Sequence, residues 1–372
     1  MADKTTSPAP RRGFSVRPEG ILAGPAAAGA CAAGLALPIA GGSLAFALCA
    51  IAAGDQQVLL PLAAVKSWAQ KQGLGDALDA ALARIAAPRP VFAGLSLDRP
   101  RLMGVINVTP DSFSDGGDFS DTARAIEHGL ALREAGADIL DIGGESTRPR
   151  SDPVAAEEEL ARVIPVIEAL SKRGAQISID TRRAVVMKAA IAAGASIVND
   201  VTALTGDPDS LATVASSGLP VVLMHMQGEP KHMQENPTYA DAPRDVRDYF
   251  VDRLAACAAA GIAAGRIAID PGIGFGKNDR HNIELIRDLA VFHELGVAIM
   301  LGVSRKSFIG RLSRKEPAKQ RLAGSLAAGL AGLDRGAQIL RVHDVAETRQ
   351  ALAIWQALAN WQESAGGVSS KP

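Results

Sequence analysis

Eight short apolar runs between residues 102 and 340 each end in a polar turn, and these turns hold most of the groups that could do chemistry. The groups are Asn107, Glu145, Ser146, Thr147, Asp180, Asn199, His225, Asp270, Ser304 to Ser307, Arg341 and His343. Each has an ordinary alternative role, since Asp180 or Asn199, for example, could cap a following helix. Their occurrence at equivalent places after successive runs argues for one shared site.

Two carboxylates, an amide and an ammonium in this set suit a planar ring that contains nitrogen. Asp180, Asp270 and Asn199 would offer hydrogen-bond acceptors, and Lys306 would offer donors. A carboxylate that faces an amino-substituted ring accepts two N–H bonds at once, which fixes the ring and discriminates against other rings. The pattern therefore indicates a fused ring with amino and oxo groups as the ligand.

Arg341 and His343 follow the last apolar run, and Asn107 follows the first. These residues become neighbours if the strands close into a barrel, and a guanidinium binds phosphate through two hydrogen bonds. Two polar loops, at residues 109–117 and 143–149, could close over such a ligand and exclude water. No P-loop, nucleophile elbow or HExxH motif is present, so covalent catalysis has no support in the sequence.

The elements that must position these groups alternate between strands and helices. The apolar runs lie at residues 102–106, 139–142, 176–179, 196–198, 220–223, 267–269, 298–301 and 339–340. Short runs of Val, Ile and Leu are typical of parallel strands that are covered on both faces. Eight strand–helix units at this spacing predict an α/β fold, a (β/α)8 TIM barrel, whose active site lies at the carboxyl ends of the strands. An open doubly wound sheet is the alternative, but no GxGxxG motif follows the first strand.

The composition is that of a globular protein with a small ligand. The chain has 372 residues and a net charge of −1, from 39 Lys and Arg against 40 Asp and Glu. This balance gives no basic footprint for nucleic acid. Its three cysteines have no spacing typical of zinc binding or of a disulfide framework, so buried thiols are expected.

The first 97 residues differ from the rest because they are rich in Ala and Gly. No charged residue lies between Glu19 and Asp55, and the pair Arg11-Arg12 precedes this stretch, which raises the possibilities of a membrane span or an export leader. Interrupting Pro and Gly residues and the scarcity of large apolar side chains count against both. We therefore expect a small packed extension and a cytoplasmic protein, with export or anchoring through residues 11–54 as a minor alternative.

Three segments follow from this division. They are an N-terminal extension, mainly helical and with helices at 58–71 and 75–86, over residues 1–97, a barrel over residues 98–360 and a flexible tail over residues 361–372.

Eight strings in the barrel segment resemble the dihydropteroate synthase family. They are INVTPDSFSDGG at 106–117, GGESTRP at 143–149, IDT at 179–181, VND at 198–200, MHMQG at 224–228, DPGIGFGK at 270–277, SRKSFIG at 304–310 and RVHD at 341–344. The resemblance does not cover the first 97 residues. It implies that 6-hydroxymethyl-7,8-dihydropterin diphosphate and p-aminobenzoate are joined to give 7,8-dihydropteroate and pyrophosphate, the folate-pathway step that sulfonamides target.

The resemblance also implies a role for individual residues. The pterin would be bound by Asp180, Asn199, Met224, Asp270, Phe275 and Lys306, and the diphosphate by Arg341 and His343 with Mg²⁺ held by Asn107. The p-aminobenzoate pocket would be shaped by Thr147, Pro149 and Ser307, beneath a loop that carries Asp111, Phe113 and Asp115. The residues expected to act in catalysis are Asp111, Phe113, Asp115, Asp180, Lys306 and Arg341.

In this family the diphosphate is thought to leave before the arylamine attacks, and Asp180 is suited to stabilise the resulting cationic ring. Two other functions compete with this one. A methyltransferase that moves a methyl group from a reduced folate to a corrinoid protein would share the pterin contacts but would not explain the SRKS and RVHD strings. A non-catalytic pterin-binding paralogue would not need the lid and diphosphate residues. The resemblance further implies a homodimer that binds small molecules. The charge balance and the composition of the N-terminal stretch predict neither nucleic acid nor a membrane as a partner.

Overall fold

The computed structural model describes residues 10, 12–109, 118–145, 154–228 and 232–359. Its N-terminal part is a small α/β unit with a hydrophobic core of its own. The elements are β1 (Phe14–Ala23), α1 (Gly24–Ala32), β2 (Leu37–Pro38), β3 (Leu44–Ala53), β4 (Gln56–Pro61), α2 (Leu62–Lys71) and α3 (Gly75–Ala86). Strand β3 is central and pairs antiparallel with β1, β2 and β4.

The expectation of a mainly helical extension is wrong, because this unit contains a four-stranded sheet. Strand β3 takes up ten residues of the uncharged stretch after Glu19, and the helix in that stretch, α1, is only nine residues long. The helix expected from residue 58 begins only at Leu62, after β4, whereas the helix at 75–86 is confirmed. No helix within the described ranges is long and apolar enough to cross a membrane.

The second part is a closed barrel of eight parallel strands, which confirms the predicted (β/α)8 fold. The strands are β5 (Arg101–Asn107), β6 (Ile139–Gly143), β7 (Ile177–Asp180), β8 (Ile197–Asp200), β9 (Val221–Met224), β10 (Ile267–Asp270), β11 (Ala298–Leu301) and β12 (Ile339–Val342). Strand β12 pairs with β5 and closes the ring. Each observed strand overlaps a run that the sequence predicts.

Helices cover the outside of the barrel. They are α4 (Asp118–Glu134), α5 (Ala156–Ser171), α6 (Ala184–Ala193), α7 (Ser210–Ser217), α8 (Ala242–Ala259), α9 (Asp279–Arg287), α10 (Ser307–Leu312), α11 (Leu322–Leu333) and α12 (Val345–Ala359). The main core lies between these helices and the outward faces of the strands. A second cluster fills the inside of the barrel, where Phe92 packs against Met103, Ile139 and Ile339. The tail expected at 361–372 lies outside the described residues.

The N-terminal unit docks on the 3₁₀ turn Leu289–Leu295, which precedes β11, and on α8. The Val16 backbone N–H donates to Glu294 Oε2 at 2.5 Å, and Arg17 forms a 2.6 Å ion pair with Asp288. Arg247 of α8 pairs with Glu294, and both side chains are almost fully buried. This surface therefore lies at the amino end of a barrel strand, away from the mouth.

Candidate active site

The carboxyl ends of the strands bring most of the predicted ring-binding residues together. Asp180 is the last residue of β7 and pairs in register with Asn199 of β8. Asp270 is the last residue of β10, and its strand partner is Met224, a buried residue at the end of β9. Because parallel strands in a barrel end at the same face, these four residues lie around one mouth.

Arg341 connects three strands across this mouth. Its Nε donates to Asp141 Oδ2 at 2.6 Å, and its Nη2 donates to Asp180 Oδ2 at 2.7 Å. Burial disfavours the charge of Arg341, but Asp141 and then Asp180 more than offset this, so its pKa is raised. The guanidinium is therefore a fixed positive charge beside the carboxylate of Asp180.

Asp141 is a residue of the site that the sequence reasoning missed. Its Oδ2 also accepts from Asn199 Nδ2 at 3.1 Å, so one oxygen orients both an amide and a guanidinium. Its Oδ1 is buried and has no hydrogen-bond partner among the described residues. An acid at an inward position of the otherwise apolar run ILDIG was the available signal, since alternate residues of a strand face the same side.

The two carboxylates of the predicted ring site have raised pKa values. Burial raises the pKa of Asp180 to about 7, against the opposing effect of Arg341 and with a further contribution from Asp141. Burial also raises the pKa of Asp270, whose Oδ1 accepts from the Gly272 N–H at 2.8 Å. Carboxyl groups that titrate near neutral pH are frequent in active sites.

Lys306 and Phe275 form a second wall of the mouth. The Lys306 ammonium lies 4.1 Å from the centroid of the Phe275 ring, which is a cation–π contact. Burial lowers the pKa of Lys306 to about 8, while Asp270 favours its charge. Lys306 stands just before α10, in a turn that Arg305 secures through an ion pair with Asp344.

The residues predicted to bind diphosphate lie at the ends of neighbouring strands. Asn107 ends β5, and His343 follows β12 directly. His343 Nδ1 lies 3.0 Å from Ser304 Oγ, and burial together with Arg341 lowers the pKa of His343 to about 3. His343 is therefore neutral at physiological pH and can act there only as a hydrogen-bonding group.

Ser307, expected in the p-aminobenzoate pocket, is exposed as the first residue of α10. Five other expected site residues lie outside the described ranges, and they are Asp111, Phe113, Asp115, Thr147 and Pro149. Arg183 bonds both residue 145 and residue 154, which are the described residues on either side of 146–153. Its guanidinium bonds Glu145 at 3.1 Å and also bonds the Val154 carbonyl, a contact that the sequence did not indicate.

The donor set at this mouth fits magnesium only in combination with a substrate. No three His, Cys, Asp or Glu side chains cluster as a metal site in the described part of the chain. Asn107 supplies an amide oxygen at the end of β5. Mg²⁺ commonly keeps several waters and binds one or two protein oxygens plus substrate phosphates, so a single amide fits an ion carried mainly by a diphosphate.

Comparison with known proteins identifies the class of enzyme. Residues 103–343 match the family described as pterin binding enzyme, and this range contains the barrel strands from Met103 onward, the predicted site residues of the mouth and Asp141. The fold and the site therefore define a pterin-binding barrel enzyme.

Three relatives are more specific. Dihydropteroate synthase from Escherichia coli strain K12 is 47% identical over 271 residues, which cover 73% of this chain and 95% of the relative. The Xanthomonas albilineans enzyme solved with 4-aminobenzoic acid is 51% identical, with a TM-score of 0.68 over 72% of this chain and 96% of that chain. Its structure with 7,8-dihydropteroate is 48% identical, with a TM-score of 0.67 over 74% and 100%. The chain belongs to the dihydropteroate synthase family, whose members are transferases that form a C–N bond, and the predicted resemblance is confirmed.

Proposed function

We propose that the residues of the barrel mouth divide the dihydropteroate synthase reaction between ring binding and charge stabilisation. The observation that carries this assignment is the hydrogen-bonded group that Asp141, Asp180, Asn199 and Arg341 form on four strands of the barrel. The substrates are 6-hydroxymethyl-7,8-dihydropterin diphosphate and p-aminobenzoate, in line with the ligands of the solved relatives.

The dihydropterin ring is recognised through its hydrogen-bonding edge. Asp270 accepts two N–H bonds from the amino-substituted side, and Lys306 donates to the oxo group. Asn199 has its amide nitrogen engaged by Asp141, so its carbonyl oxygen is the end that meets a ring N–H. Phe275 and Met224 supply apolar surface beside the ring.

The bond between the pterin methylene and the diphosphate oxygen breaks first, and the oxygen keeps the electron pair. The cation left on the methylene is shared with the ring, and ionised Asp180 stabilises it by electrostatic attraction. The p-aminobenzoate nitrogen then donates its lone pair to the methylene, the C–N bond forms, and the nitrogen passes a proton to water. Because the nucleophile is a neutral amine, the chain needs to position it rather than activate it.

The leaving group is held by neutral and charged donors. Arg341 places positive charge near the breaking bond, and His343, whose Nδ1 is engaged by Ser304, can offer Nε2 to a diphosphate oxygen. Asn107 would hold Mg²⁺, which when bound neutralises negative charge on the diphosphate.

Ser307, with Thr147 and Pro149, would shape the p-aminobenzoate pocket, and the loop with Asp111, Phe113 and Asp115 would cover it. A homodimer and a cytoplasmic location stay predictions.

The test is release of pyrophosphate by the purified chain with dihydropterin diphosphate, p-aminobenzoate and Mg²⁺. We expect turnover that needs both substrates and that EDTA abolishes, with recovery when excess Mg²⁺ is restored. Binding of the pterin without pyrophosphate release would contradict the proposal and favour a non-catalytic paralogue. Turnover that persists in EDTA would contradict only the assignment of magnesium and would leave the rest of the proposal intact.

A further inference from the structure

Lys277 is a fully buried lysine behind the mouth, and the expected site residues do not include it. Its Nζ donates to the Phe275 carbonyl at 2.9 Å and to the His225 carbonyl at 3.3 Å, and lies 2.9 Å from His225 Nδ1. His225 follows β9, whereas Phe275 belongs to the loop that follows β10. The amine of Lys277 therefore joins the segments that follow the carboxyl ends of two neighbouring barrel strands, β9 and β10, and these segments are called the exits of the strands.

The loop at residues 271–276 lies unusually close to the exit of β9. Gly272 has φ +69°, and a Cβ atom added to it would be 1.9 Å from the His225 carbonyl oxygen. Gly276 has φ +60°, and its added Cβ would be 2.2 Å from the Gln227 carbonyl oxygen. Only glycine allows this contact between two backbones. Lys277 bonds across it from the loop after β10, while Gln234 and Tyr239 donate from the other side to the carbonyls of Gly274 and Gly276 at 2.6 and 2.9 Å.

The same loop carries one residue of the proposed pterin site and directly follows another. Asp270, the last residue of β10, accepts from the Gly272 N–H of the loop, and the Phe275 ring in the loop contacts Lys306 at 4.1 Å. Because Lys277 holds the Phe275 carbonyl, it fixes the backbone from which that ring projects. A shift of this backbone would move the ring away from Lys306 and change the surface that a ligand meets.

We propose that Lys277 is a positioning residue for pterin binding, which pins the loop at residues 271–276 to the exit of β9 and so places Phe275 against Lys306. This inference rests on the proposed function of the mouth. It assigns no contact with the substrate to Lys277, whose amine points at backbone carbonyls and at His225.

Five titratable or aromatic groups face Lys277 from the elements around it, namely His225, Tyr239, Asp270, His281 and Lys306. Burial lowers the pKa of Lys277 to about 7, Asp270 favours its charge, and Lys306 opposes it. The same repulsion acts in return on Lys306, because the interaction between two charges is mutual. Because Lys277 is mostly neutral at the pH where Lys306 titrates, this repulsion is weak there, and the ionisation of Lys306 should depend little on Lys277.

The experiment compares Lys277→Met with the wild-type chain in the pyrophosphate assay. We expect the KM for dihydropterin diphosphate to rise by about tenfold, the effect of losing a charge-assisted hydrogen bond. The KM for p-aminobenzoate should stay within about twofold, since the residues expected around that substrate, Thr147, Pro149 and Ser307, do not belong to this loop. The alkaline limb of kcat/KM should stay in place, so the selective rise of one KM is the readout that loss of packing alone would not give.

Ile267→Val is the matched control, because it shortens a buried side chain at the amino end of β10, the strand that carries Asp270. We expect it to lower Tm without changing either KM. Equal changes in both KM values for Lys277→Met, or an unchanged KM for the pterin, would overturn the positioning role. If Lys277→Met does not fold, Lys277→Gln decides, since its shorter amide cannot reach both carbonyls, and an unchanged pterin KM would again overturn it.

Failure of the proposed function is recognised separately. If the wild-type chain releases no pyrophosphate, the function is at fault, and the positioning role is then tested by calorimetric binding of 6-hydroxymethyl-7,8-dihydropterin. Weaker binding to Lys277→Met than to Ile267→Val supports the role of Lys277, and equal binding to the two variants overturns it.

Discussion

The dependence of kcat/KM on pH is the most direct test of the electrostatics at the mouth. In the mechanism that we propose, Asp180 must be a carboxylate to stabilise the cationic ring, and Lys306 must be an ammonium to bind it. Burial raises the pKa of Asp180 to about 7 and lowers that of Lys306 to about 8. Because kcat/KM reports ionisations of the free enzyme, the unliganded structure is the right reference.

The direction in which kcat/KM changes with pH follows from the protonation state that each residue needs. Activity should rise with pH as Asp180 loses its proton and fall as Lys306 loses its own, which gives a narrow bell. With pKa values of about 7 and 8, about 60% of the enzyme has both groups correct near pH 7.5, and about 10% near pH 6 or pH 9. Each limb should therefore lower kcat/KM about sixfold within roughly 1.5 pH units.

The assay is pyrophosphate release at a dihydropterin diphosphate concentration well below KM, at constant ionic strength and saturating Mg²⁺. Lys306→Arg keeps a positive charge but does not titrate in this range, so its alkaline limb should disappear while its acid limb stays. Asp180→Asn should lose most of its activity, and the remainder should show no acid limb.

Two results would refute this reasoning. A profile that is flat from pH 6 to pH 9 would mean that neither group titrates as its burial requires. A full alkaline limb in Lys306→Arg would assign that ionisation to another group, and Lys277 would be the first to examine, because burial lowers its pKa to about 7.

The remaining predictions concern two other buried acids. Asp141→Asn should lower kcat/KM by about tenfold to a hundredfold, because Arg341 and Asn199 lose their shared anionic partner. Asp138→Asn, at the amino end of the same strand, should lower Tm but leave kcat/KM nearly unchanged, and a similar loss of activity in both variants would contradict the role of Asp141. Glu294→Gln leaves the buried Arg247 charge without its main partner and should destabilise the chain by about 3–5 kcal/mol, as measured by urea unfolding. A loss below about 1 kcal/mol would show that this pair contributes little.

The barrel was predictable because its signals are local and repeated. Each short run of apolar residues is buried on both faces, so the strands could be located without knowledge of their partners. Asp180, Asn199 and Asp270 were found because strand ends in a barrel meet at one face. Asp141 was missed because it lies inside a strand, and its pairing with Arg341 depends on contacts between residues 200 positions apart in the chain.

The N-terminal unit was harder to predict because its many alanines hide the alternation of apolar and polar residues that is typical of a strand. Alanine favours helices, but strand β3 contains five alanines among its ten residues and places them in a sheet. The better signal was Gly54-Asp55, a two-residue turn between two apolar runs in which Gly54 has φ +56°. Tertiary pairing of β3 with β1 and β4 thus overrides the helical propensity of its residues.

The position of the N-terminal unit limits what it can contribute to the reaction. Its contacts with Glu294 and Asp288 lie before β11, at the end of the barrel where residues contribute to stability, whereas chemistry takes place at the opposite end. A further contact joins Arg89 to the His293 carbonyl in the same turn. The unit therefore covers buried charges at the amino end of the barrel, and its effect on turnover should pass through the stability of that end rather than through the substrates.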